Sequence, residues 1–212
     1  MHNVSFWGLS RGMRLRIGGD QRRLVNTLAA IAQENGFTEI LLPTVEPQEV
    51  YQKAFGEAQA SLMWTFKDKK GRDVCLRPEG TGTLQGLYSD TLKYEHDAMV
   101  FYEARCFRYE RPQLGRYREF TQFGVEVMNP TKDHHDFLIS LSKTMIAASG
   151  IDAFELAERV ERGLGYYTEH GWEISIPSLG AQKQVLGGGR YKEGIGFAIG
   201  IDRLLLAMEK EK

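Results

Sequence analysis

The chain has 212 residues, enough for one domain with a sizeable core. Its 27 basic and 28 acidic residues leave a net charge of −1, which excludes a protein that coats nucleic acid by bulk charge but not one with a local basic patch. The first residues lack an apolar leader core and no window is apolar enough to span a membrane. Cys75 and Cys106 support neither a metal spacing nor a disulfide framework. The expectation is a cytoplasmic protein with reduced thiols and no membrane association.

In chain order, residues 20–35 place Leu24, Leu28, Ile31 and Ala32 at helical spacing, with Asp20 as cap and Gly36 as stop. Ile40, Leu41 and Leu42 predict a short buried strand ended by Pro43. Residues 50–56 read as helix. The alternation on both sides of Lys70-Gly71 predicts a hairpin, and residues 83–92 a helix. Residues 98–111 and 115–129 alternate as strands and predict a long antiparallel hairpin. Residues 133–149 are helical, with Phe137, Leu141 and Met145 four apart. Residues 163–176 and 182–191 read as strands around a turn at Pro177–Gly180. Residues 194–200 read as a glycine-interrupted strand, followed by a terminal amphipathic helix. The order of elements predicts an α+β fold with a mainly antiparallel sheet, because regular βαβ alternation is absent.

Two glycine-rich stretches fail the nucleotide-loop patterns: GIGFAIG (194–200) has Ile199 where the dinucleotide fingerprint needs its last glycine, and no P-loop occurs. If the protein handles ATP, arginines must hold the phosphates; the glycines read as close packing of the last helix on the sheet. The densest signal is residues 105–118, with Arg105, Arg108, Arg111, Arg116 and Arg118 interleaved with Phe107, Tyr109 and Tyr117. Planar guanidinium groups grip phosphate bidentately and a nearby aromatic ring can stack a base. The same pattern equally describes a solvated, salt-bridged hairpin, since Glu103, Glu110 and Glu119 are close by. His134-His135 reads as a capping or surface pair, and no structural metal is assigned.

These residues carry a resemblance. FRYERPQLGRYREF (107–120) resembles motif 2 of the class II aminoacyl-tRNA synthetases, GFTEILLPTVEP (36–47) motif 1 and GIGFAIGIDRLLL (194–206) motif 3. LRPEGT (76–81), TQFGVEV (121–127), RGLGYYT (162–168) and LGGGRY (186–191) are similar to histidyl-tRNA synthetase signatures in particular. The matches run in order over nearly the whole chain. They imply a single class II catalytic domain, an antiparallel sheet flanked by helices, and a homodimer formed through residues 20–57.

The resemblance also implies roles. Arg108 would hold the ATP α-phosphate and the substrate carboxylate, Glu110 the adenine amino group, Phe120 the adenine face, and Arg203 the γ-phosphate side. Arg116 would touch phosphate or the tRNA end. Arg162 corresponds to a histidine-specific arginine beside the α-phosphate. Glu79, Thr81 and Gln122 would receive the α-ammonium, and Glu126, Tyr167 and Tyr191 would line the imidazole pocket. Positions 122, 124 and 126 share one strand face, so Gln122 and Glu126 would sit at opposite ends of a site about 13 Å long, with Gly124 as an open floor. Tyr166 and Tyr167 are adjacent, so in a strand only one could face that site. Histidine, ATP and Mg²⁺ are the implied substrates and ion. Carboxylate attack on the α-phosphorus needs positioning and charge neutralisation above all.

The chain also departs from the family. Residues 127–161 leave no room for the family's insertion domain, and no anticodon-binding domain is expected. Gly165 replaces the aspartate of RGLDYY, Glu169-His170 stands where small or β-branched residues are usual, and Lys192 replaces the aspartate of GGRYD before a shortened loop. Two functions compete. One is activation of histidine to histidyl-adenylate, with transfer to tRNA or another acceptor. The other is a non-catalytic histidine sensor like the regulatory subunit of ATP phosphoribosyltransferase. Retention of Arg108, Arg162 and Arg203 favours the enzyme. A piece or engineered core of a longer enzyme fits the same residues.

Overall fold

The structure, a computed structural model, describes residues 18–52, 55, 60–88, 91, 93–111, 113–161 and 165–211. Helix α1 (Gly18–Glu34) buries Leu24, Val25, Leu28 and Ala32 along one stripe. Strand β1 (Thr38–Glu39) then pairs parallel to β5 (Ala98–Phe107). The expected buried strand through Leu42 does not form. The Ile40 N–H still bonds to the Phe101 carbonyl, but Leu41 is 87% exposed. Immediately afterwards the Arg77 guanidinium binds the Leu42 and Pro43 carbonyls and holds the chain off the sheet.

Strands β2 (Val45–Pro47), β3 (Trp64–Lys67) and β4 (Asp73–Leu76) form a separate three-stranded antiparallel sheet in the order β2-β4-β3. The turn falls where Lys70-Gly71 predicts it, and the Asp68 carboxylate accepts from the N–H groups of Lys70 and Arg72. Register and alternation give this sheet two unlike faces. Glu46 and Cys75 are buried on one, Cys75 against Tyr51, Phe55 and Met63. The other carries Val45, Pro47, Trp64, Phe66, Val74 and Leu76, with no charged residue among them. Helix α2 (Gln48–Gln52) begins earlier than the predicted 50–56, of which 53, 54 and 56 lie outside the described residues. Helix α3 (Thr81–Leu87) likewise starts two residues before its predicted position.

The main sheet has seven strands in the order β1-β5-β6-β10-β9-β8-β7, completed by β6 (Glu119–Met128), β7 (Glu155–Val160), β8 (Gly171–Ser175), β9 (Gln184–Tyr191) and β10 (Gly194–Gly200). Its pairs are antiparallel except β1 with β5, so the sheet is mixed. Two predicted strands are corrected. The predicted long hairpin pairs as strand only over β5 and β6, so the described residues between Arg108 and Arg118 form a loop. Of the predicted strand 163–176, residues 163 and 164 lie outside the described residues, and the rest is strand only over β8. Besides β9, β8 pairs with the unforeseen β7, a sheet edge whose mostly exposed residues hide its periodicity.

Alternation sends Phe101, Phe123, Val125, Val127, Ile195, Phe197 and Ile199 into one core with α1, α4 (His135–Ala147) and α5 (Ile201–Lys210). A 3₁₀ turn (Pro177–Gln182) joins β8 to β9. The opposite face of the sheet carries Tyr102, Cys106, Met128 and Tyr191 and packs on Leu84 of α3.

Candidate active site

A cleft of about 260 Å³ lies on this second face. Its walls come from the motif 2 loop, the start of β6, β9, the end of β10 and the first turn of α5. Arg108, Glu110, Arg116, Phe120 and Arg203 line one end, and Glu79, Thr81, Gln122, Tyr166 and Tyr167 the other.

At the first end three guanidinium groups converge. Arg108 donates from Nε to the Pro78 carbonyl at 2.9 Å, with its guanidinium carbon 5.2 Å from the centre of the Phe120 ring. Arg116 pairs with the buried Glu110 carboxylate. Arg203 donates from Nε to the Gly115 carbonyl (2.6 Å), from Nη1 to the Gln184 carbonyl (2.8 Å) and from Nη2 to Gln182 Oε1 (3.1 Å). The motif 2 loop is thereby latched onto helix α5. Burial lowers the Arg203 pKa, and the Arg108 and Arg116 charges add to that. Asp202, next to it, accepts from the Thr121 N–H and fixes α5 to β6.

At the second end two buried carboxylates meet through Thr81. Glu79 accepts from the N–H groups of Thr81 (2.9 Å) and Gly82 (2.6 Å) and from the Tyr166 hydroxyl (3.3 Å). Glu126 accepts from Thr81 Oγ1 (2.7 Å) and from the Tyr191 hydroxyl (3.0 Å). Burial pushes the pKa of both upward, Glu126 to about 8; the two hydrogen bonds on Glu126 only oppose this shift. Gln122 Oε1 accepts from the Gly80 N–H at 3.1 Å and from the Cys106 thiol at 3.3 Å.

Gln122 and Glu126 share one face of β6, as their spacing predicts, but the floor between them is filled. Tyr102 lies directly across from Gly124 in the β5–β6 register, and a Cβ at Gly124 would stand 2.1 Å from its ring. Glu126 and Tyr191 are buried and do not line the cleft; Thr81, which does, bonds to Glu126. The glycines of β9 and β10 make room for these side chains. A Cβ at Gly196 would fall 1.8 Å from Glu126 Oε2, and one at Gly189 would fall 2.7 Å from the Tyr167 ring. The sequence reading assigned those glycines to helix packing, whereas these two accommodate the polar cluster.

Tyr166 and Tyr167 both line the cleft, their ring centres 4.6 Å apart. Tyr166 ends a turn and Tyr167 forms an isolated bridge with Tyr191, so no regular strand alternation separates them. Arg162 lies outside the described residues. Tyr102 and Tyr166 are the members of the cluster that sequence reasoning missed. The strict alternation Val100-Tyr102-Ala104-Cys106 on β5 was the available signal for Tyr102. At the His134-His135 pair, His134 Nε2 lies 2.8 Å from Asp97 Oδ1.

The sequence profile of the histidyl-tRNA synthetase family matches residues 19–160. A histidine–tRNA ligase of Methanosarcina acetivorans is 39% identical over 146 residues, covering 66% of this chain and 35% of the relative. One from Campylobacter lari is 27% identical over 296 aligned positions, covering 90% of this chain and 72% of that protein, so it carries long stretches with no counterpart here. In three dimensions the chain is similar to a Bacillus halodurans C protein described as an ATP phosphoribosyltransferase regulatory subunit/histidyl-tRNA synthetase. The TM-score is 0.78 at 17% identity, over 93% of this chain and 82% of that one. That likeness is one of fold.

Proposed function

Because the chain belongs to the histidyl-tRNA synthetase family, we propose that it activates histidine with ATP. A histidine carboxylate oxygen bonds to the α-phosphorus, the bond to the β-phosphate oxygen breaks, and pyrophosphate leaves. An acceptor, a tRNA end or another nucleophile, then attacks the histidyl carbonyl carbon, the bond to the adenylate oxygen breaks, and AMP leaves. One observation carries this reading: a single cleft is lined by three arginines and the Phe120 ring and also by Glu79 and Thr81, with the buried Glu126 bonded to Thr81 behind its wall.

In this reading Arg108 and Arg162 neutralise charge at the reacting phosphate, and Arg203 and Arg116 hold the outer phosphates. Adenine stacks on Phe120, with its amino group at Glu110. The α-ammonium is held by Glu79, Thr81 and Gln122. The imidazole takes a place at Glu126 now filled by Thr81 or Tyr191, next to Tyr167, and a neutral imidazole supplies the donor and acceptor that such a site requires. Mg²⁺ would arrive with ATP and offset charge on its outer phosphates. We place the protein in the cytoplasm, as one catalytic domain that pairs into a homodimer. No helix among the described residues is long and apolar enough to cross a membrane.

A histidine-sensing, non-catalytic protein is the second reading. It is favoured by Arg203, whose Nε and both terminal nitrogens donate to protein oxygens where activation needs them turned to phosphate. The experiment is a search for histidyl-adenylate and released pyrophosphate with the purified protein, histidine and MgATP. Arg162→Ala is expected to lower adenylate formation at least about 10²-fold while affecting histidine binding less. Histidine binding without adenylate from the native chain would select the sensor.

A further inference from the structure

The cleft's Glu79 lies in the short link between β4 and α3, and its position is set by the chain on each side. On the N-terminal side stands Arg77, only 3% exposed. Its guanidinium donates to three main-chain carbonyls. Nη2 and Nε reach the Arg105 carbonyl at 2.8 and 3.2 Å, and Nη1 reaches those of Leu42 (2.8 Å) and Pro43. Its own N–H donates to the Thr44 carbonyl, and its carbonyl accepts from the Phe107 N–H, both at 2.9 Å. The next carbonyl, of Pro78, is the one that holds Arg108. On the other side the buried Tyr51 hydroxyl donates to the Glu79 carbonyl at 3.1 Å and is 2.5 Å from Thr83 Oγ1. Glu46, buried on β2, lies beside both Thr83 and Arg77.

We propose that Arg77 and Tyr51 are positioning residues for Glu79, two buried clamps that fix the main chain before and after it so that its carboxylate is presented to the substrate ammonium. The proposal rests on the reading of Glu79 as the ammonium acceptor. A planar fork reaches three carbonyls of two separate segments at once, which a lysine ammonium on a flexible stem does not reproduce. Displacing the 77–80 segment would leave the seven-stranded sheet intact while moving Glu79 relative to Arg108 and Gln122, and small misplacements of a positioning group are costly in rate.

The test uses Arg77→Lys and Tyr51→Phe in the full chain, read in two ways. The first is hydrogen exchange at the Thr81 and Gly82 amides, which donate to the Glu79 carboxylate, against amides of β6 and β10. The second is amino-acid-dependent pyrophosphate exchange, with KM and kcat separated. Both variants are expected to lose protection at Thr81 and Gly82 but not in the strands, and to raise the KM for histidine roughly tenfold or more with a smaller change in kcat. Unchanged protection in either folded variant overturns the clamp, as does a uniform loss of protection across β6 and β10, which marks a purely structural role. Should Arg77→Lys fail to fold, Tyr51→Phe alone decides. If the native chain activates nothing, the activation reading fails, and the exchange at Thr81 and Gly82 still judges the clamps.

Discussion

The Tyr191 hydroxyl donates to Glu126 Oε2 across 3.0 Å, and both groups are buried behind the wall of the cleft. A carboxylate sealed there with two hydroxyl donors keeps its proton far longer than an exposed one, and its pKa rises from 4.5 to about 8.

This has a consequence for stability. Between those two values the native chain holds a proton that the unfolded chain has released, so the stability contributed by this group falls as pH rises through the window and levels off above it. Glu126→Gln cannot ionise. Urea unfolding as a function of pH is expected to show a flatter profile for the variant over this window, whatever the offset between the two proteins. Parallel profiles would place the Glu126 pKa near its ordinary value.

The same substitution addresses substrate choice. An amide at position 126 offers an imidazole N–H a neutral acceptor where glutamate can supply a charged one. Histidine activation is expected to weaken by roughly 1–3 kcal/mol, the worth of such a buried hydrogen bond. The KM for ATP should scarcely move, because Phe120 and the arginines lie at the other end of the cleft. Steady-state kinetics with each substrate varied separately checks this.

Gly196 and Gly124 tolerate no side chain. Alanine at Gly196 would drive a methyl group into Glu126, and alanine at Gly124 would drive one into Tyr102. Either variant is expected to lose about 1–3 kcal/mol of stability or more and to lose histidine binding with it. Alanine at Gly150, where the added Cβ meets nothing but φ is 82°, separates backbone strain from crowding. Chemical denaturation and calorimetric titration together distinguish the three.

The outer face of the three-stranded sheet predicts assembly. Val45 and Phe66 are 50% and 45% exposed on a face without charge, and Leu41 projects beside it in sequence. A second copy of the chain related by a two-fold axis would cover this surface twice. Light scattering at micromolar concentration is expected to give a dimer, and Phe66→Asp a monomer. A monomeric native chain would remove the homodimer from the account.

How far the sequence disclosed this molecule depends on where each residue's surroundings come from. The helices α1, α4 and α5, the β3–β4 hairpin and the pairing of β5 with β6 were legible, because each depends on a local period or a local turn. The edge strand β7 was not, because its Glu155, Glu158 and Arg159 face solvent and erase the apolar rhythm. Leu41 misled for the converse reason: the local run is apolar, but the distant Arg77 decides where the chain goes. In the site, the shared face of Gln122 and Glu126 followed from alternation alone. That Tyr102 would fill the space over Gly124 depended on the β5–β6 register, and that Tyr166 would join Tyr167 in the cleft depended on a turn. Neither can be read from spacing within one strand.

The central claim is the identity of the activated amino acid, and amino-acid-dependent pyrophosphate exchange with all twenty amino acids tests it most directly. The account predicts exchange with histidine well above the other nineteen, and its loss in Glu126→Gln. Exchange driven best by another amino acid would contradict the histidine assignment while leaving class II activation standing, and no exchange with any of the twenty would contradict activation itself.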